Sequence, residues 1–174
     1  MTNSEMTEIF TVLKINYRYD KMFRDGETDT LLPTIKLWTT ALADVDFWTG
    51  QQALIVVLRE CRYPPTIAEF HEAAERVTQE LNRQASDVFT DIRTGELLHG
   101  TLEAYYATLL PGNKVKAVID RMGGTQNLVR EVMDGYAWNL EAILATAKEV
   151  IKDRKKLLAG GKPALLSEKG NTNE

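Results

Sequence analysis

Few residues of this chain have the types and spacing needed for catalysis. Asp44 and Asp46 stand two positions apart and could act as a general acid–base pair. However, Asp46 also stands where a carboxylate can cap a following helix, and Asp44 fits an exposed loop, so neither requires a substrate. His71 and His99 are far apart in the sequence and lack the His-Glu-x-x-His spacing of a zinc site.

Two other features point away from chemistry. The chain has no Gly-x-x-x-x-Gly-Lys-Ser/Thr sequence that could cradle the phosphates of ATP, and Gly123-Gly124 is typical of a helix end. The single cysteine, Cys61, lies on the apolar side of a predicted helix, which favours a structural thiol over a reactive one. We therefore predict that the protein is not an enzyme, and that it has no catalytic residue, cofactor or metal.

The stretch between Tyr63 and Phe70 sets the direction of a helix. Pro64 and Pro65 cannot continue a preceding helix, so the chain must turn there. The hydroxyl of Thr66 can then accept from the first backbone N–H groups of a new helix, while Glu69 can reach back to the N–H of Thr66. This capping box predicts a rigid structural elbow, from which no activity follows directly.

Most apolar residues of the chain recur at the helical period, which predicts an all-α fold. Residues 1–85 form an N-terminal helical bundle in this interpretation, with Asn3 or Ser4 capping its first helix and its last helix running from Ile67 to about Arg83. The apolar residues that share a helix face are Met6, Phe10, Leu13 and Tyr17; Leu31, Ile35, Trp38 and Leu42; Phe47, Leu54, Val57, Leu58 and Cys61; and Ile67, Phe70, Ala74, Val77 and Leu81.

The second half is predicted to be a separate helical region over residues 86–160. The pattern loosens over residues 86–100, where Thr94-Gly95 and His99-Gly100 act as breakers. Two short helices follow, one between Thr101 and Leu110 and one between Asn113 and Met122. A long last helix spans about Tyr136 to Leu158, and residues 161–174 form a polar, mobile tail.

Composition narrows the classes of partner. The chain of 174 residues has a formal net charge of −4 and a pI near 5.3, so it has no general attraction for phosphate backbones. No run of about 18 apolar residues occurs, which argues against a membrane span. One cysteine and a polar, acidic N-terminus favour an intracellular protein.

A family resemblance lies in the order of several short sequences in residues 5–80. Ile15-Asn16-Tyr17 ends the first predicted helix, Leu37-Trp38 follows a polar gap, and Asp44-Val45-Asp46-Phe47 precedes an apolar helix that leads to the elbow at residues 63–69. This arrangement resembles the phage-encoded loaders and inhibitors of replicative helicases. These small helical proteins bind a hexameric ring helicase of the DnaB type.

The resemblance implies a function in phage DNA replication, in the cytoplasm of the infected bacterial host. The expected partner is a hexameric replicative helicase of the phage or the host, with other replication proteins as further candidates, and the expected outcome is loading on DNA, inhibition, or both. In that family the C-terminal part engages the helicase. The apolar side of the last helix and its basic end then supply candidate contacts: Trp138, Leu144, Ile151, Arg154 and Leu158. Packing of the same helix in the core is the alternative interpretation.

Two other functions are compatible with a helical chain. The helix after Pro64-Pro65 could be a DNA-recognition helix, but it carries Glu69, Glu72, Glu75 and Glu80 against Arg76 and Arg83, which makes direct nucleic-acid binding unfavourable. A structural or assembly protein of a phage particle is also allowed by composition. Trp48 and Phe47 cannot both point the same way on a helix, so one of them faces outward or packs against a neighbouring element. An exposed tryptophan would be a candidate anchor, but packing in a satellite core is the favoured interpretation.

Overall fold

The computed structural model describes residues 1–24, 28–132 and 140–159, and these residues form helices without a strand. The all-α prediction is therefore confirmed. The helices are α1 (Asn3–Asn16), α2 (Lys21–Arg24), α3 (Thr28–Ala41), α4 (Phe47–Glu60), α5 (Ile67–His99), α6 (Leu102–Thr108), α7 (Lys114–Arg121), α8 (Thr125–Val132) and α9 (Leu140–Ala159). The predicted tail, residues 161–174, lies outside the described residues.

The chain divides into two compact units. The first unit is Met1–Glu80, and the second begins at Leu81, so the division falls within α5. The sequence pattern predicts a boundary a few residues later, after residue 85. None of the described helices is both long and apolar enough to cross a membrane.

The first unit is built around four interlocking aromatic rings. The ring of Trp38 meets Phe10 edge-on at a centroid distance of 5.2 Å and Phe70 at 5.6 Å, and Phe23 approaches Phe10 at 6.4 Å. Edge-to-face contacts of this kind add to the free energy gained by burial. Each ring comes from a different helix, so the cluster ties α1, α2, α3 and α5 together. Trp48 is also buried, and Phe47 packs partly against the core.

Polar side chains cap α1 and α4, as the sequence predicts, but the residue that caps α1 is not the predicted one. Thr2, and neither Asn3 nor Ser4, caps α1, because its hydroxyl accepts from the backbone N–H of Glu5 while the Glu5 carboxylate accepts from the N–H of Thr2. Asp46 caps α4 as predicted, accepting from the N–H of Thr49 at 3.2 Å.

Helix α5 is longer than predicted. The predicted end near Arg83 is wrong, since α5 is 33 residues long and ends at His99. Buried Ala85, Val88 and Ile92 extend the apolar stripe through the segment where the sequence pattern loosens. Gly95 does not break the helix; a Cβ atom there would lie 2.2 Å from the ring of Tyr105, so glycine lets α6 approach closely.

The second unit has an aliphatic core. Helices α7 and α9 pack against each other, with Ile119 and Ile143 fully buried. Gly123 and Gly124 end α7 with positive φ angles of 87° and 90°, as their position predicted. Helix α8 was not predicted from the sequence, and its Leu128 is fully buried.

Candidate partner-binding surfaces

The elbow between α4 and α5 is held by reciprocal hydrogen bonds. The backbone N–H of Thr66 donates to Glu69 Oε2 at 2.7 Å, and the N–H of Glu69 donates to Thr66 Oγ1 at 3.2 Å. These bonds stabilise the carboxylate and lower the pKa of Glu69. Pro65 is buried beside this cap, and Pro64 is half-buried. The four predicted elbow residues thus lie together at the start of α5.

An ion pair adds a second connection between the two helices. The guanidinium of Arg76 on α5 donates two hydrogen bonds to the carboxylate of Glu60 on α4, at 3.1 and 2.6 Å. The bidentate pairing lowers the pKa of Glu60. Both side chains are about half exposed, so the pair fixes geometry more than it adds stability.

A further hydrogen bond joins the ends of α1 and α4. The phenol of Tyr17 donates to the backbone carbonyl of Cys61 at 2.9 Å. Burial raises the pKa of Tyr17 and, with the nearby carboxylate of Glu69, the pKa of the Cys61 thiol. Cys61 is therefore held in its less reactive thiol form at the base of the elbow.

This junction carries an open groove of about 290 Å³. We call it the tyrosine groove; it is lined by Asn16, Tyr17, Tyr19, Asp20, Arg62, Tyr63 and Pro64. Tyr19 and Tyr63 are 77% and 68% exposed, an unusual state for large aromatic side chains. The guanidinium of Arg18 lies 4.6 Å from the Tyr19 ring centroid, and that of Arg62 lies 5.8 Å from the Tyr63 centroid.

A second open groove, of about 370 Å³, contains the residues with acid–base potential. His71 Nε2 lies 3.3 Å from Asp44 Oδ2, and its Nδ1 lies 3.6 Å from Glu75 Oε1. The two carboxylates contact opposite nitrogens of the ring, so they do not converge on one point. Within the described part of the chain, no three such side chains are arranged to hold a metal ion.

The hydroxyl of Thr49, which lines this groove, already donates a hydrogen bond. Thr49 is buried, and its Oγ1 donates to Asp46 Oδ2 at 2.6 Å, inside the N-terminal cap of α4. Asp46 therefore acts in helix capping, and the buried Thr49 hydroxyl is part of that cap. The partly exposed polar contacts around His71 are typical of a solvated surface.

The three described side chains among the predicted contact residues of the last helix do not share one exposed face. Leu144 is half-buried, and Ile151 is 3% exposed in the core that α9 shares with α7. Arg154 donates to the backbone carbonyl of Gly112. Trp138 and the side chain of Leu158 lie outside the described residues. The apolar face that packs inward is formed by Ile143, Ala147, Val150 and Ile151.

The outward surface of α9 carries charges of both signs, and its exposed residues include Glu141 and Glu149. Lys156 in its last turn is exposed, while Lys148, Lys152 and Lys155 are half-buried. Lys152 approaches Glu149 at 3.9 Å, and Asp153 accepts from Arg121 of α7 at 2.8 Å. Positive charge near the C-terminus of a helix also favours its dipole.

The first part of α5 is a poor surface for DNA. Glu69, Glu72 and Glu75 are exposed along it, and the one nearby arginine, Arg76, is paired with Glu60. An exposed row of carboxylates repels a phosphate backbone. The arrangement thus does not favour the DNA-recognition alternative.

Residues 1–71 match the family model for the N-terminal domain of a phage helicase loader and inhibitor. The resemblance seen in the sequence is confirmed over this segment, which runs from α1 into the start of α5. The segment is thus related to a phage helicase-associated protein. No curated protein and no solved structure matches the chain.

The tyrosine groove was not predicted from the sequence. A signal was present, because the Arg-Tyr dipeptide occurs twice, as Arg18-Tyr19 and Arg62-Tyr63, each just after the end of a helix. Nothing in the sequence alone shows that these two dipeptides line one depression.

Proposed function

We propose that the protein binds a hexameric replicative helicase of the DnaB type, from the phage or its host, and loads it on DNA or restrains its activity. The match of residues 1–71 to the N-terminal domain of the phage loader and inhibitor carries this proposal. The site of action is the cytoplasm of the infected bacterial host, and other replication proteins join the complex when the helicase is handed over.

The mechanism needs no chemistry by this chain. A protein that binds one conformation of a ring more tightly than another shifts the ring toward that conformation. Binding to an open ring admits DNA, whereas binding to a closed, idle ring restrains ATP hydrolysis. Release then follows when DNA or another replication protein favours the competing ring conformation.

The contact with the helicase is proposed to lie in the second half, at α9 and the residues around it. Leu144 and Arg154 are partly accessible on α9. Leu158 belongs to the last turn of this helix, and Trp138 precedes its described part in the sequence. Ile151 is a contact only if α9 leaves α7, because its side chain is buried. Amphipathic helices commonly dock in a partner's groove in this way.

The functional test is the ATPase activity of a hexameric replicative helicase, together with its transfer onto circular single-stranded DNA. We expect the full chain to change ATP turnover, transfer or both by at least about tenfold at saturation. Leu144→Asp should weaken the effect, since it places a charge on the proposed contact. Ala145→Asp, at a neighbouring exposed position, is the matched control.

Two results separate the parts of this proposal. An unchanged effect with Leu144→Asp and with Arg154→Glu removes the contact from α9 while leaving helicase binding intact. No effect of the full chain on either phage or host helicase, with or without ATP, contradicts the proposed function itself.

A further inference from the structure

We propose that the tyrosine groove is a docking site for an acidic segment of a polypeptide partner. Carboxylates of this segment pair with Arg18 and Arg62, and an apolar side chain lies between Tyr19 and Tyr63. This inference goes beyond the helicase contact proposed for α9, and it stands on the first unit alone.

The groove is organised before any partner arrives. The Tyr17 hydrogen bond to Cys61 fixes the two chain segments that form its walls, and Pro64 restricts the backbone next to Tyr63. The Thr66–Glu69 capping box then holds the following helix start. A surface that is already ordered loses little conformational entropy on binding, so more of the contact energy appears as affinity.

The side chains exposed in the groove are the types that dominate binding energy. Tyrosine and arginine are enriched among the residues whose truncation costs most at protein interfaces. Here two tyrosines are mostly exposed, and each has a guanidinium within cation–π distance. A guanidinium over a ring keeps its N–H edge available for a carboxylate, which it can bind through two hydrogen bonds.

The charge distribution of the first unit favours an acidic occupant at this one place. Residues 1–80 contain eight Lys and Arg and 13 Asp and Glu, a net charge of −5. Five of the eight basic residues nevertheless stand within three positions of a groove residue: Lys14, Arg18, Lys21, Arg59 and Arg62. None of these five forms an ion pair with a described residue.

Two carboxylates near the groove, those of Asp20 and Glu60, already accept hydrogen bonds from other groups of the protein. Asp20 lines the groove, but its Oδ1 accepts from the backbone N–H of Met22 at 2.9 Å. Glu60 is paired with Arg76. Within three positions of the groove residues the chain has five basic residues against two carboxylates, Asp20 and Glu60. Asp20 keeps its negative charge, but this local excess of basic residues makes the field attractive to carboxylates.

A peptide fits this pattern better than a nucleic acid. A polynucleotide carries a charge on every residue, so it would also meet the acidic surface that covers the remainder of the unit. A short acidic segment confines its charge to the groove, and screening over about 10 Å reduces repulsion from more distant carboxylates. Exposed tyrosines can also stack on bases, so single-stranded DNA is the competing occupant that the experiment must exclude.

The experiment selects peptides from a random 12-residue display library on the immobilised full chain. Dissociation constants of the selected peptides are then measured by fluorescence anisotropy. We expect enrichment of Asp and Glu around an apolar or aromatic residue. Two groove variants are compared with the wild type: Arg18→Glu combined with Tyr19→Ser, and Arg62→Glu combined with Tyr63→Ser. Each should bind the peptides at least tenfold more weakly.

The matched control carries the same change of charge and a similar loss of exposed apolar surface elsewhere in the first unit. Lys36→Glu combined with Leu37→Ser on α3 meets these conditions, because both side chains are exposed. Its affinity should stay within twofold of the wild type. All substituted side chains are solvent-exposed, and far-UV circular dichroism verifies that each variant is folded.

Three results would overturn the proposal. The selected peptides could lack acidic enrichment, or the groove variants could bind them as tightly as the wild type does. In the third result, a thymidine oligonucleotide binds the full chain and both groove variants abolish that binding, which assigns the groove to single-stranded DNA. No arm of this experiment contains a helicase, so its failure leaves the proposed helicase function untouched.

Discussion

The two units of this protein are stabilised by different kinds of core. The first unit encloses four aromatic rings in edge-on contact, whereas the buried side chains described in the second unit are aliphatic. Their charges differ as well: residues 1–80 carry a net charge of −5, and residues 81–174, with 13 Lys and Arg against 12 Asp and Glu, carry +1.

The two cores should tolerate substitution differently. Interlocking aromatic rings with defined edge-to-face geometry leave few alternative side chains at each position. An aliphatic core accepts exchanges among Val, Ile and Leu with small losses of stability. The family match covers residues 1–71, within the aromatic unit.

The largest expected effect is the loss of an aromatic ring from the first core. Phe70→Ala should lower the free energy of unfolding by about 3–5 kcal/mol, because the buried ring leaves a cavity against Trp38. Urea titration followed by tryptophan fluorescence measures the change. The control Leu37→Ala, at an exposed position, should cost no more than about 0.5 kcal/mol. A loss below about 1 kcal/mol for Phe70→Ala would contradict the importance of the ring cluster.

A smaller effect is expected from the aliphatic core. Ile119→Ala should cost about 2–4 kcal/mol, since the side chain is fully buried where α7 packs on α9. Urea titration followed by circular dichroism at 222 nm reports on it. Leu98→Ala, at a position that is 75% exposed, provides the comparison. If the two substitutions had equal effects, the description of this core would be wrong.

The hydrogen bond beneath the tyrosine groove is expected to contribute less. Tyr17→Phe removes the donor to the Cys61 carbonyl and should lower the free energy of unfolding by about 1 kcal/mol. Tyr19→Phe removes the same hydroxyl from an exposed side chain and should have almost no effect. Chemical denaturation of both variants in parallel provides the measurement, and equal values would contradict the assigned role of Tyr17.

The smallest effect concerns pH and the capping box. The pKa of Glu69 is lowered from an ordinary value of 4.5 in the folded chain, because its carboxylate accepts hydrogen bonds from Thr66. Its stabilisation is therefore present above the ordinary pKa and is lost as the pH falls through the lowered folded value. The stability advantage of the wild type over Glu69→Gln should shrink between about pH 7 and about pH 3.

Thermal unfolding over this pH range measures that advantage. Glu8→Gln, which changes an exposed carboxylate of α1 outside a cap, provides the baseline. An advantage of the wild type over Glu69→Gln that grew as the pH fell would have the wrong sign for a capping carboxylate.

Local features of the fold could be predicted from the sequence, and features set by distant contacts could not. The Thr66–Glu69 box and the Asp46 cap follow from spacings of three residues, so the pattern alone indicates them. The length of α5 could not be inferred, because Gly95 resembles a helix breaker until the ring of Tyr105 is known to lie against it. The length of α5 therefore depends on packing between helices and not on the local sequence.

The candidate binding surfaces also depend on contacts between residues that are distant in the sequence. The sequence places Leu144 and Ile151 together on the apolar side of α9, whereas the structure buries Ile151 and leaves Leu144 half-buried, because the position of α7 decides which side chains face inward. The tyrosine groove joins two Arg-Tyr dipeptides that are far apart in sequence. Their meeting depends on the ends of α1 and α4 lying side by side.

The central claim is that this protein binds a ring helicase, and sedimentation velocity tests it most directly. The full chain, labelled with a fluorophore at the N-terminus, would be centrifuged with increasing amounts of hexameric phage or host helicase, with and without ATP. We predict that the label moves with the helicase and that binding saturates at a fixed number of chains per hexamer. A label that sediments as the free 19.6 kDa chain with every helicase and nucleotide would contradict this claim.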